Sequence, residues 1–217
     1  MIYPITKNSE KFISLFPESF LNASKAEQEI SAAIYRFLSK GHNPSIGEIA
    51  KETGHTAQTV EALRDGLNSG VFRNENEDII GFGGLTSHKT KHTFTVNGIT
   101  SYTWCALDAL FIPEIIGKLA EVTSVCPVTK ETIELSILRN KVVAVNPQST
   151  VLSIVIAETE KITENLVNNF CHFVHFFSSE SSAKEWIHSH ENTFIVSLDD
   201  AMRLAHALNK TRYSLIL

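Results

Sequence analysis

Residues 122–157 read VTSVCPVTKETIELSILRNKVVAVNPQSTVLSIVIA, and this stretch decides the fold class. β-Branched residues crowd four runs, 122–126, 132–138, 142–145 and 151–157. Such side chains fit the pleated, half-buried surface of a sheet. Alternation is clearest in the second run, at Ile133, Leu135 and Ile137. No helical period separates the four runs, so the strands follow one another directly, and that implies antiparallel pairing.

Upstream, residues 79–82 form a short strand candidate, and Phe94, Val96 and Ile99 flank Asn97-Gly98, a strong two-residue hairpin signal. Three helices are expected before them. Ser24 and Glu27 form a capping box ahead of Ile30, Ala33, Ile34, Phe37 and Leu38, with Gly41 and Pro44 as stops. Ser45 with Glu48 opens a second helix carrying Ile46, Ile49 and Ala50, which Gly54 breaks. Thr56 starts a third, with Val60, Leu63 and Leu67 on one face and Gly70 closing it. Downstream, strands are expected over 172–177 and 193–198, and helices over 183–190 and 201–208, the last behind a Ser197/Asp200 cap. The fold class is α+β. A winged-helix-like three-helix part (1–80) packs on an α+β part (81–217) built of antiparallel sheets with flanking helices.

Three helices and a hairpin invite a DNA-binding reading, but the chemistry argues against it. The third helix carries one basic residue, Arg64, against Glu61 and Asp65, with Gln58 and Asn68 as the candidate base readers. Lys89 and Lys91 add little to a phosphate-contacting surface. The net charge of −5 over 217 residues agrees, so no nucleic-acid partner is expected. The first twenty residues lack the apolar run of a signal peptide, and no stretch is long enough to span a bilayer. No membrane partner is therefore expected, and three cysteines, an odd and sparse set, suggest reduced thiols in a cytoplasm.

Two segments could carry chemistry. In Ser101-Tyr-Thr-Trp-Cys-Ala-Leu-Asp-Ala-Leu110, Cys105 and Asp108 are three apart and share a helical face. A helix beginning near Thr103 would put Cys105 in its first turn, where the dipole favours thiolate, and Pro113 would end or kink it. The bland alternative is a small buried cysteine. In Asn169-Phe-Cys-His-Phe-Val-His-Phe-Phe177, a strand would turn Cys171 and His175 toward one pocket, or would simply be a buried strand with satisfied histidines. Cys126 has no companion cysteine nearby, which excludes a zinc knuckle. The remaining histidines (His42, His55, His88, His92, His188, His190, His206) read as surface residues. Gly81-Phe-Gly-Gly84 lacks the lysine and helix of a phosphate loop.

Together the two segments resemble the catalytic segments of organomercurial (alkylmercury) lyases. Trp104-Cys-Ala-Leu-Asp-Ala-Leu110, through Pro113 and Ile116-Gly117, matches the first, and Asn169 to Phe177 the second. Ile79-Ile-Gly-Phe-Gly83 and Glu185-Trp186 keep the family order, and the likeness covers about residues 24–210. It implies that Cys105, Asp108 and Cys171 are catalytic and hold the Hg(II) product transiently. It also implies that Cys126 is the family's structural cysteine. His172 stands where many relatives carry another cysteine, and Phe173 where many carry histidine. The implied reaction is protonolysis of a carbon–mercury bond, with no cofactor. Small cytosolic thiols act as co-reactants, and thiols or a mercuric reductase take up the ion. Two other readings fit the same thiols: a metal-responsive winged-helix regulator, and a non-catalytic thiol protein binding copper(I) or zinc through Cys105, Cys171 and His175.

Overall fold

The computed structural model describes residues 23–66, 70–156 and 164–217. The readings on the N-terminal segment, on Leu67 and Asn68, and on Ala157 lie outside these residues. Helices α1 (Lys25–Leu38), α2 (Ile46–Thr53) and α3 (Ala57–Gly66) come first. The capping boxes at Ser24/Glu27 and Ser45/Glu48 are both formed, and Gly54 closes α2 in the left-handed conformation. Each such cap contributes on the order of 1 kcal/mol, so these boundaries are set locally.

Two antiparallel sheets follow. The larger takes β1 (Val71–Arg73), β2 (Ile79–Phe82), β3 (Leu85–Thr86), β4 (His92–Val96), β5 (Ile99–Thr103), β6 (Leu119–Val125), β7 (Thr132–Leu138) and β8 (Lys141–Asn146) in the order β1-β2-β3-β5-β4-β6-β7-β8. In β6 and β7 exposed and buried residues alternate strictly at most positions, so one face is wet and the other covers the core. The fourth run departs from the meander. β9 (Val151–Val155) is buried at every position and forms the middle of a second sheet, β10-β9-β11, with β10 (Phe176–Phe177) and β11 (Thr193–Ser197). A strand buried on both faces has no need of alternation, and VLSIV shows none.

Helix α4 (Ala106–Ile116) runs through the core, with Glu114 its one residue that is not buried. Pro113 does not end it. The helix continues to Ile116 and closes at Gly117 in the left-handed conformation, since packing on all sides outweighs one lost backbone hydrogen bond. Helix α7 (Leu198–Arg212) lies against α4, behind the expected Ser197 cap. Asn209 ties them, donating to the Phe111 carbonyl at 2.8 Å and to Glu114 at 2.9 Å. Helix α6 (Glu180–Ile187) begins three residues before the expected 183–190 span, at a Ser179/Ser182 capping box.

Two readings need correction. The expected strand over 172–177 begins instead in a 3-10 turn, Cys171–Phe173, which follows a short helix α5 (Leu166–Asn169), and only Phe176–Phe177 form a strand, β10. His92 is not on the surface. It is 2% exposed, on the same face of β4 as Phe94 and Val96. Its Nδ1 meets the Ser124 hydroxyl at 2.8 Å, and its ring packs on His175 and Phe176.

Burial, then the nearby His175 and Lys91, hold the His92 pKa down to about 3, and burial likewise lowers His175 to about 4. A depressed base contributes stability that is present above its unfolded pKa near 6.5 and lost as pH falls toward the folded value. Denaturant melts should therefore show stability declining from about pH 6.5 downward, by at most about 1.4 kcal/mol per pH unit for each histidine. His92→Gln should flatten that slope. An unchanged slope in the variant would show that His92 is not the group being protonated.

Candidate active site

The first cysteine enters through the start of α4. Cys105 is its N-cap, extended at φ −143° and ψ 175°, so it precedes the first turn in which the sequence reading put it. Asp108, at the third helical position, turns back to accept the Cys105 N–H at 2.8 Å through Oδ2, and the Asp108 N–H faces the Cys105 sulfur. This is a capping box with cysteine in the serine position. Thr103 steadies the approach by donating to the Cys105 carbonyl at 3.1 Å.

Cys171 arrives on the 3-10 turn, which hangs from β9. The Ser153 hydroxyl donates to the Phe173 carbonyl at 2.7 Å and accepts the His175 N–H at 3.1 Å, while the Ser153 N–H donates to the His175 carbonyl at 3.0 Å. The Ala106 N–H donates to the Val174 carbonyl at 3.1 Å, joining the two cysteine segments directly. Cys105 Sγ, Cys171 Sγ and an Asp108 carboxylate oxygen thus lie within 4.8 Å of one another, all buried.

Burial governs the electrostatics. It lifts the Cys105 thiol well above its ordinary value, helped by the contact with Cys171 and the charge of Asp108. The helix N-terminus therefore does not make a thiolate here, contrary to the sequence reading, because desolvation outweighs the dipole. For Cys171 the hydrogen bond from Cys105 favours the thiolate, but burial and Asp108 prevail and the pKa is raised. Desolvation pushes Asp108 up to about 7, against the Cys105 thiol and N–H and the Arg212 charge, which pull it down. The cluster is a protonated pair of thiols beside a carboxyl poised near neutrality.

A cavity of about 20 Å³ adjoins it, lined by Leu107, Asp108, Phe111, Phe170, Cys171 and Leu208. That is about the room one water needs, so the cluster is largely shielded from bulk solvent. His175 does not join Cys171. It lines a separate pocket of about 440 Å³ with Lys89, Lys91, Cys126 and Lys130. His172 is exposed and Phe173 half-buried, while Cys171 is buried. Sequence reasoning missed Ser153, Phe111 and Leu208, which carry no signal beyond ordinary strand and helix patterning.

Two thiols and a carboxyl around one buried gap define a dithiol–carboxylate centre, whose two sulfurs are the donors that a soft cation selects. The profile of the alkylmercury lyases matches residues 85–210. An alkylmercury lyase of Staphylococcus epidermidis is 32% identical over 203 residues, covering 93% of this chain and 92% of the relative. One from Pseudomonas putida is 39% identical over 175 residues, covering 81% and 80%. The crystal structure of the mercury-bound form of MerB2 superposes with a TM-score of 0.73 at 23% identity, covering 96% of this chain and 98% of that one, a likeness of fold. The chain belongs to the alkylmercury lyase family. Among the described residues no helix is long and apolar enough to cross a membrane.

Cys126 is fully buried and stands apart from the cluster. Burial raises its pKa, but hydrogen bonds from the Thr129 hydroxyl and the N–H groups of Ser178, Thr129 and Val128 outweigh that and bring it to about 6. An ultraviolet thiolate titration of the native protein should show one thiol ionising near pH 6 and two only above the ordinary thiol range. Cys126→Ser should remove the early step. Three thiols ionising together would contradict this division.

Proposed function

We propose that this enzyme cleaves carbon–mercury bonds by protonolysis, with Cys105 and Cys171 as mercury ligands and Asp108 as the proton carrier. The observation that supports it most directly is the convergence of two sulfurs and a carboxylate oxygen, from separate segments, within 4.8 Å. Metal–sulfur bonds of about 2.3 Å, or somewhat longer for a larger ion, let one mercury bridge two sulfurs so placed.

The chemistry balances without further groups. An organomercurial R–Hg–X exchanges X for one cysteine sulfur, and the thiol proton leaves with X as HX. The second sulfur then adds to mercury and loads electron density onto the bound carbon. The second thiol proton, carried by Asp108, is delivered to that carbon, the carbon–mercury bond breaks, and R–H departs. Hg(II) stays on the two sulfurs until two small thiols exchange with it and restore both cysteine protons, or a mercuric reductase takes it. Raised thiol pKa values favour this order, because the protons the reaction consumes are already present. A carboxyl held at about 7 can both accept and donate near neutral pH, which suits a general acid.

The direct assay mixes the protein with phenylmercury and excess thiol and measures benzene; none above background would sink the reading. Single-turnover work on variants then separates capture from chemistry. Asp108→Asn keeps the shape but loses the exchangeable acid proton, so it should still retain mercury while benzene release slows about 10²–10⁴-fold. Cys105→Ala should lose capture and cleavage together. If Asp108→Asn released benzene at the parent rate, the proton would come straight from a thiol or water.

A further inference from the structure

Gly83 and Gly84 join β2 to β3 in a two-residue turn with φ +49° and +103°. The same geometry recurs at Asn97 and Gly98, φ +52° and +78°, between β4 and β5. Both are the mirror-image turns that hairpins prefer, and the first position of such a turn accepts asparagine as readily as glycine. Their surroundings differ. A Cβ on Gly98 would meet nothing within 4 Å. One on Gly83 would overlap the Tyr35 hydroxyl, and one on Gly84 would sit 2.5 Å from Asp108 Oδ1 and 2.8 Å from Asp108 Cβ. Backbone conformation therefore accounts for Gly98, while Gly84 also answers to a close approach.

Two hydrogen bonds seat the glycine turn. The Tyr35 hydroxyl, fully buried, donates to the Gly83 carbonyl at 2.7 Å. The Trp104 N–H, one residue before Cys105, donates to the Gly84 carbonyl at 2.8 Å. The Asp108 carboxyl is thus held on one side by the Cys105 N–H at Oδ2 and walled on the other, at Oδ1, by the Gly84 backbone.

We infer that the Gly83–Gly84 turn is a positioning element for the cleavage reaction, a wall that keeps the Asp108 carboxyl facing the two sulfurs without touching any reacting atom. The inference rests on the protonolysis proposed above. Its work comes after mercury binds. Once both sulfurs are ligands, the thiol hydrogen bonds that steadied the cluster are gone, and the Cys105 N–H and this wall remain to restrain the carboxyl, beside the Arg212 charge. A proton carrier free to turn away would leave the mercury captured and the carbon attached.

Gly84→Ala tests this, with Gly98→Ala as the control for strain, since both put a side chain at positive φ but only the first meets a carboxyl. In single turnover with phenylmercury, Gly84→Ala should bind one mercury per protein like the parent yet release benzene about 10²–10⁴-fold more slowly, the span of a lost general acid. Gly98→Ala should match the parent in both. The double variant Gly84→Ala/Asp108→Asn should be no slower than Asp108→Asn alone, because the wall acts through the carboxyl. Tyr35→Phe, which frees the turn without adding bulk, should slow release in the same direction with capture intact, and it carries the test if Gly84→Ala does not fold. Parent-rate release from Gly84→Ala, or from Tyr35→Phe in its place, would overturn the inference, as would additive losses in the double variant. A parent protein that captures phenylmercury but releases no benzene would instead overturn the reaction itself.

Discussion

A carboxyl group buried at the start of an apolar helix must find a donor, and here Asp108 finds the N–H of Cys105 at 2.8 Å. An unpaired carboxylate in that position would cost several kcal/mol. Two outcomes follow from one bond. The helix acquires an N-terminal cap, and the cysteine that provides the donor is placed beside the acid. The same burial that makes the bond necessary keeps Asp108 near neutrality and both neighbouring thiols protonated. Stability of the helix and readiness of the site thus share a cause, and neither can be altered without the other.

The second sulfur depends on a different sheet. Ser153, in the centre of β9, holds the turn that presents Cys171 through three hydrogen bonds, and the Ala106 N–H closes the gap to Val174. The site is therefore a seam between the N-terminus of α4 and the turn below the small sheet. Leu107, Phe111, Phe170 and Leu208 seal it, leaving about 20 Å³. Electrostatic interactions are strong in a space so shielded from solvent.

Elements set by neighbouring residues were legible in the sequence: the Ser24 and Ser45 capping boxes, the Asn97-Gly98 hairpin and the alternation of β7. Features set by distant partners were not. The run Phe-Cys-His-Phe-Val-His-Phe-Phe carries every mark of a strand, yet local bonds from Phe173 to Phe170 and from Val174 to Cys171 fold its first half into a turn, which the Ser153 hydroxyl holds at the Phe173 carbonyl. Val151–Val155 joins a second sheet in which both its faces are buried, its one polar side chain, Ser153, being taken up by the Cys171 segment. His92 shares the period of Phe94 and Val96, a signal that its polarity obscured. The meeting of Cys105, Asp108 and Cys171 was visible only through family resemblance, since no local pattern brings Cys171 to the other two. Gly83 and Gly84 registered as a failed phosphate loop, because close approach to a carboxyl leaves no trace in composition.

The hydrogen bonds that carry the sulfurs divide the chain into stretches where its length matters and stretches where it does not. From Thr103 to Ala106, and from Cys171 to His175, successive backbone groups are committed to hydrogen-bond partners, and the Ala106 N–H to Val174 carbonyl bond crosses the seam. One added residue in either would shift a sulfur by about 3.5 Å, more than a metal–sulfur bond. The tips at Asn97–Gly98 and at Arg139–Asn140 join neighbouring strands whose pairing is complete without them. Loop tips of that kind absorb insertions. The chain can therefore gain or lose residues at the ends of its larger sheet while the distance between Cys105 and Cys171 stays the same.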